Sequence, residues 1–117
     1  MSAGEHESEI ARNARALDWL RAELSGAIAD VQRGMVRGDD EAVADSLADT
    51  LMVVALLARR TGIGLTRLGN VFESRLRANL AHDHELERWF GDLTAVLARV
   101  ETSRERLADN DSGSART

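Results

Sequence analysis

The sequence predicts an all-α protein, an antiparallel bundle of four helices. Three observations carry that expectation. The 117 residues contain no proline and only two Trp, two Phe and no Tyr, whereas Ala, Leu, Arg and Glu are abundant, a composition that suits helices and disfavours a β-sandwich. Apolar residues recur at helical rather than strand spacing. The breaks between these runs carry Gly, Asp and Thr, the residues that stop and start helices.

The first run spans about Ser8 to Val36. Ile10, Leu17, Leu24 and Val31 recur every seven residues, Ala14, Ile28 and Met35 flank them, and Leu20 and Ala27 fill the stripe. Gly26 and Gly34 each cost such a helix about 1 kcal/mol relative to Ala, so they mark either a close helix approach or a break near Gly34. In Arg37-Gly38-Asp39-Asp40, Gly38 suits a left-handed helix end and Asp39 or Asp40 an N-cap. The second helix is expected from about Glu41 to Thr61, closed by Gly62, with Arg59 and Arg60 in a last turn that favours cations. From Leu51 to Ala58 every residue is apolar, a stretch expected to be covered on several sides. Thr66 is a candidate cap for a third helix reaching about Ala81, with Leu68, Val71, Phe72, Leu76 and Leu80 as its apolar set. Asp83 is a candidate cap for a fourth, from about His84 to Leu107, on which Leu86, Trp89, Phe90, Leu93, Val96, Leu97, Val100 and Leu107 form a seam. Residues 1–7 and 108–117 are small and polar and read as a flexible N-terminus and a disordered tail, which leaves one helical domain over 8–107. The long fourth helix exceeds what so small a core can cover, so a second copy of the chain is expected to complete it as a homodimer.

Composition also excludes. Without cysteine there is neither a disulfide nor a thiolate site. A formal charge of −5 argues against nucleic acid as a partner. The N-terminus is acidic and lacks a signal-peptide apolar segment, and Leu51–Ala58 is far short of the roughly 20 apolar residues that span a bilayer, so a soluble cytoplasmic protein with no membrane partner is expected.

Candidate chemistry lies with the acids, because hard cations such as Mg²⁺ take carboxylate oxygens. Acids three or four apart share a helix face. Glu23 and Asp30 stand two turns apart on the first helix, and Asp45 and Asp49 one turn apart on the second. With 20 acids in 117 residues many such pairs arise by chance and are simply solvated. Asp49 is distinguished by its place at the mouth of the apolar stretch, where an arginine partner would satisfy it as well as a cation. His82-Asp83-His84 lacks a third ligand and reads as a turn. Trp19, Trp89 and Phe90 can stack on a base, but core or dimer packing is the expected role.

Residues 20–82 resemble the MazG-like branch of the all-α nucleoside triphosphate pyrophosphohydrolases. The matching features are Ser46-Leu47-Ala48-Asp49-Thr50-Leu51 against an acidic E-L-A-D-V-L opening, Gly62-Ile63-Gly64-Leu65 against G-I-D-L, and Arg75 and Asn79 against a helix ending K-x-x-x-N. The Gly38-Asp39 turn falls at the interhelix turn of that pattern. The resemblance implies hydrolysis of a (deoxy)nucleoside triphosphate to the monophosphate and pyrophosphate, with Mg²⁺ (or Mn²⁺) held by E-x-x-E on one helix and E-x-x-D on the next. Those positions read Ala27-Ile28-Ala29-Asp30 and Ser46-Leu47-Ala48-Asp49. Asp30 and Asp49 are therefore the candidate catalytic and metal-holding residues, with Glu23 and Asp45 as substitutes for the acids replaced by Ala27 and Ser46. Arg75 and Asn79 correspond to residues that hold phosphates or order the site. With half the ligands replaced, the ion is expected to bind weakly or not at all, and a non-catalytic binding or assembly module is the competing expectation.

Overall fold

The computed structural model describes the backbone of residues 2–115 and the side chains of residues 8–107 and 109. The described chain is all-helical: α1 (Ser2–Arg37), α2 (Asp40–Arg60), α3 (Leu65–Ala81), α4 (Glu85–Phe90) and α5 (Asp92–Ala115). It forms two compact units, residues 1–66 and 67–117. No described helix is long and apolar enough to cross a membrane. The expected flexible segments, 1–7 and 108–117, fall almost entirely outside the described side chains.

In the first unit α1 and α2 pack as an antiparallel hairpin. The turn between them is fully specified by local chemistry. Gly38 takes a left-handed φ of 66°. Its N–H donates to Met35 O at 3.2 Å, and the Asp39 N–H to Gly34 O at 3.0 Å, which satisfies two carbonyls at the end of α1. The Asp39 carboxylate then accepts from the Ala42 N–H at 3.1 Å and caps α2. Asp40 and Glu41 follow in the first turn and Arg59 and Arg60 close the last, each matched to the helix dipole.

Leu20, Ala27, Val53 and Ala58 form the buried apolar set of this unit, with Ser46 among them. Gly34 marks the close approach. A Cβ there would meet Val43 Cγ2 at 3.0 Å and Val43 N at 3.2 Å, whereas one at Gly26 would meet nothing within 4 Å. Gly34→Leu is therefore expected to destabilise the protein by about 1–3 kcal/mol through overpacking, and Gly26→Ala to stabilise it by up to about 1 kcal/mol through helix propensity. Urea denaturation midpoints moving in opposite directions are the measurement.

The apolar stretch of α2 is not covered all round. Val53 and Ala58 are buried, but Leu51 is 71% exposed and Met52 54%. The reason is geometric: within this unit α2 packs against α1, and one neighbouring helix covers one stripe of another.

In the second unit the expected single helix over 84–107 is two helices. Gly91 takes a left-handed φ of 70° and donates its N–H to Glu87 O at 2.9 Å, closing α4. The Glu87 carboxylate then accepts from the Thr94 N–H at 3.0 Å and from the Thr94 hydroxyl, so a side chain of α4 caps α5. These hydrogen bonds, above all the hydroxyl, hold the Glu87 carboxyl below its ordinary pKa of 4.5. A carboxyl whose pKa is lower in the folded state stabilises the fold above its unfolded pKa. That contribution is lost as pH falls through the folded value, below about 4.5. Glu87→Gln is expected to flatten this acid limb of the stability curve, measured as denaturation midpoint against pH.

The residue capping α4 is His84, not Asp83: its Nδ1 accepts from the Leu86 N–H at 3.1 Å. Asp83 instead takes a left-handed φ of 54° in the turn. Likewise α3 begins at Leu65, directly after Gly64 at φ 82°, so Thr66 lies inside the helix rather than capping it. Leu76 of α3 and Leu97 of α5 are buried. Arg77 reaches Glu101 at 2.6 Å, and Glu73, whose side chain is 16% exposed, accepts from Arg104 and from Arg77. Trp89 and Phe90 meet edge to face, with ring centroids 6.3 Å apart. They are 63% and 71% exposed, which removes them from the core of this chain.

Candidate functional site

Along one side of the α1–α2 hairpin runs a groove of about 440 Å³. Its α1 wall holds Glu23, Gly26, Ala27 and Asp30, and its α2 wall Asp49, Met52 and Val53. Helical spacing places the acids there. Glu23 and Asp30 are seven residues apart, two turns on one face, and the antiparallel register set by Gly34 against Val43 brings Asp49 level with that end of α1.

Three of the four candidate metal-holding acids thus line one groove, and Asp45 does not. Asp49 is exposed and forms no ion pair among the described residues, so it is neither trapped at a buried helix mouth nor neutralised by an arginine. Asp30 pairs with Arg33, one turn on, which also lines the groove. Arg33, Gly26 and Met52 were not named as site residues from sequence. A signal was present for the first two: Gly26 and Arg33 follow Glu23 and Asp30 at three-residue spacing.

The two positions that depart from the acidic pattern have a structural role. Ala27 is 7% exposed and Ser46 8%, both within the helix–helix interface. The Ser46 hydroxyl donates to Ala42 O at 2.7 Å, which engages its proton within the helix. Small residues here let the two helices close together, and longer acids would have to reach out along the groove.

The carboxylate chemistry suits a hard cation, because Mg²⁺ retains several waters and takes one or two protein carboxylates together with substrate phosphates. Among the described residues no three His, Cys, Asp or Glu side chains converge closely enough to enclose an ion by themselves.

Arg75 and Asn79 lie in the second unit, one turn apart on α3 and both exposed. The Asn79 amide donates to Arg75 O at 2.8 Å, a contact within the helix. His84 is consumed as the α4 cap, in keeping with a turn rather than a metal motif at His82–His84.

The first unit is thus a helical hairpin with three acids along one flank, in a chain whose described residues form only helices. The MazG-like family matches residues 10–93, most of the chain, and the chain belongs to that family. No curated protein and no solved structure matches it.

Proposed function

We propose that the protein binds a (deoxy)nucleoside triphosphate with Mg²⁺ or Mn²⁺ in the α1–α2 groove and hydrolyses it to the monophosphate and pyrophosphate at a reduced rate. The observation that carries this reading is that Glu23, Asp30 and Asp49 line one groove of a MazG-like chain. Asp30 and Asp49 would hold the cation with the phosphates, and Glu23, two turns from Asp30, would act through the cation's waters in place of the missing acid at Ala27. When bound, the ion polarises the phosphates and favours a hydroxide-like water. In the hydrolysis, water oxygen bonds to the α-phosphorus, the bond from that phosphorus to the pyrophosphate oxygen breaks, and the water proton passes to solvent. Asp49, exposed and without an arginine partner, is free to orient that water or ligate the ion. Arg75 and Asn79 are assigned to phosphate binding on the family resemblance, and a homodimer of a four-helix arrangement is proposed to cover the exposed apolar flank of α2.

The test is pyrophosphate release from a panel of ribo- and deoxyribonucleoside triphosphates with Mg²⁺ and then Mn²⁺. Metal-dependent release supports the reading. Nucleotide binding without release supports the second reading, a non-catalytic binding or assembly module, which the burial of Ala27 and Ser46 at the two substituted positions favours.

A further inference from the structure

Two clefts meet at the open end of the α1–α2 hairpin, away from the Gly38 turn. The larger, about 650 Å³, is lined by Glu9, Arg12, Asn13 and Ala16 of α1 and by Arg60 of α2. The other lies against Arg59, Gly62, Gly64, Leu65 and Thr66, and Arg60 lines it as well. Neither shares a lining residue with the acidic groove.

Charge is sorted along α2. Its acids, Asp40, Glu41, Asp45 and Asp49, all lie in the half nearer the turn, and its only cations are Arg59 and Arg60. The helix dipole accounts for those two. It does not account for Arg12, which the antiparallel packing brings from α1 to the cleft that Arg60 lines. Three guanidinium groups thus stand at one end of the hairpin against a single lining carboxylate, Glu9. None of the three forms an ion pair among the described residues. Arg12 donates to the Ser8 hydroxyl at 3.3 Å, which engages one of the five N–H groups of a guanidinium. Like charges repel, and an anion held between them turns that repulsion into attraction.

The donors define the ligand. A guanidinium fork matches phosphate oxygens two at a time. The Asn13 amide and the Thr66 hydroxyl add neutral donors. No aromatic side chain lines either cleft, so neither offers a surface for a base. We infer that this end of the hairpin is a second anion site, independent of any metal, that takes inorganic phosphate or pyrophosphate. Arg12 and Arg60 hold the anion across the larger cleft, with Arg59 beside them. Pyrophosphate binds more tightly than phosphate, because its greater charge and span engage both arginines at once. The site is separate from the acidic groove and does not depend on hydrolysis there.

The experiment follows the backbone amide signals of the full chain by NMR during titration with inorganic phosphate and with pyrophosphate, at fixed ionic strength and with EDTA present. Without a divalent cation neither anion is drawn to the acids Glu23, Asp30 and Asp49. Saturable shifts are expected over residues 9–16 and 59–66. Arg60→Gln is expected to weaken pyrophosphate binding about tenfold, the scale of one charge-assisted contact. Arg12→Gln should act in the same direction, and Glu9→Gln should tighten binding by removing the opposing charge. Arg33→Gln, in the acidic groove, is expected to change nothing. All four positions are exposed, so the variants should keep the wild-type circular dichroism. Shifts that do not saturate overturn the site. Equal affinity in wild type and Arg60→Gln overturns it, and so does an equal loss in Arg33→Gln, which would report surface charge and not a cleft. Each of these results leaves the metal-dependent reading of the acidic groove standing, since no divalent cation is present.

Discussion

Asp49→Asn is expected to lower metal-dependent pyrophosphate release by about two orders of magnitude or more. The substitution keeps size and shape at an exposed position, so the hairpin should be unaffected. It removes the negative charge of the one groove acid on α2. Loss of a carboxylate that holds a catalytic cation forfeits several kcal/mol of transition-state stabilisation, and each ~1.4 kcal/mol is tenfold in rate. Asp30→Asn should act in the same direction, and its companion Arg33 would then be released from its ion pair. Asp45→Asn, outside the groove, should leave turnover within about twofold. Equal turnover in Asp49→Asn and wild type would remove Asp49 from the mechanism.

The second large effect is expected from putting a carboxylate back. Ala27 lines the groove yet is 7% exposed, wedged where α1 meets α2. In the absence of metal, Ala27→Glu places a fourth charge beside Glu23, Asp30 and Asp49 while forcing its stem through a close interface. Overpacking and uncompensated charge together should cost about 2–4 kcal/mol. Added Mg²⁺ should return part of that loss, because a ligand that binds only the folded state stabilises it by mass action. Urea denaturation of the variant with and without millimolar Mg²⁺ measures both. Absence of any Mg²⁺ response in Ala27→Glu would mean that the acids do not share a cation.

The first two helices and the turn and cap between them were legible because their causes are local, whereas the expected caps Thr66 and Asp83 are not the ones used. Gly38 and Asp39 terminate and restart the chain through bonds within five residues, and the turn appears where those two residues predict it. The division of the expected fourth helix at Gly91 was not legible from periodicity. Leu86, Leu93, Val96 and Val100 keep helical spacing through a single left-handed residue, so the apolar pattern runs on while the axis breaks. The capping pair Glu87 and Thr94, seven residues apart, spans the break and matches no short capping motif. Exposure was misjudged for the same stretch and for Leu51–Ala58, because hydropathy records what a side chain prefers and not how many neighbouring helices stand ready to cover it. For the groove, helix phase set Glu23 with Asp30, but it also set Asp45 with Asp49, and Asp45 lies outside the groove. The use of Ala27 and Ser46 as interface residues was not legible, since it depends on how closely α2 approaches.

The turn at Gly38–Asp39 also bears on how the first unit forms in time. Two residues separate a helix of 36 residues from one of 21, so the hairpin closes the shortest loop that two helices can share. The first interhelical contacts, Gly34 with Val43 among them, join residues close in sequence, and each further turn zips on from there. Contacts of that kind require little chain entropy to be surrendered in advance, and helical topologies of low contact order fold in microseconds to milliseconds. The groove walls, Asp30 on α1 and Asp49 on α2, are then brought together midway along that zipper, and the far end of the hairpin, where Ala16 and Arg60 share a cleft, closes last.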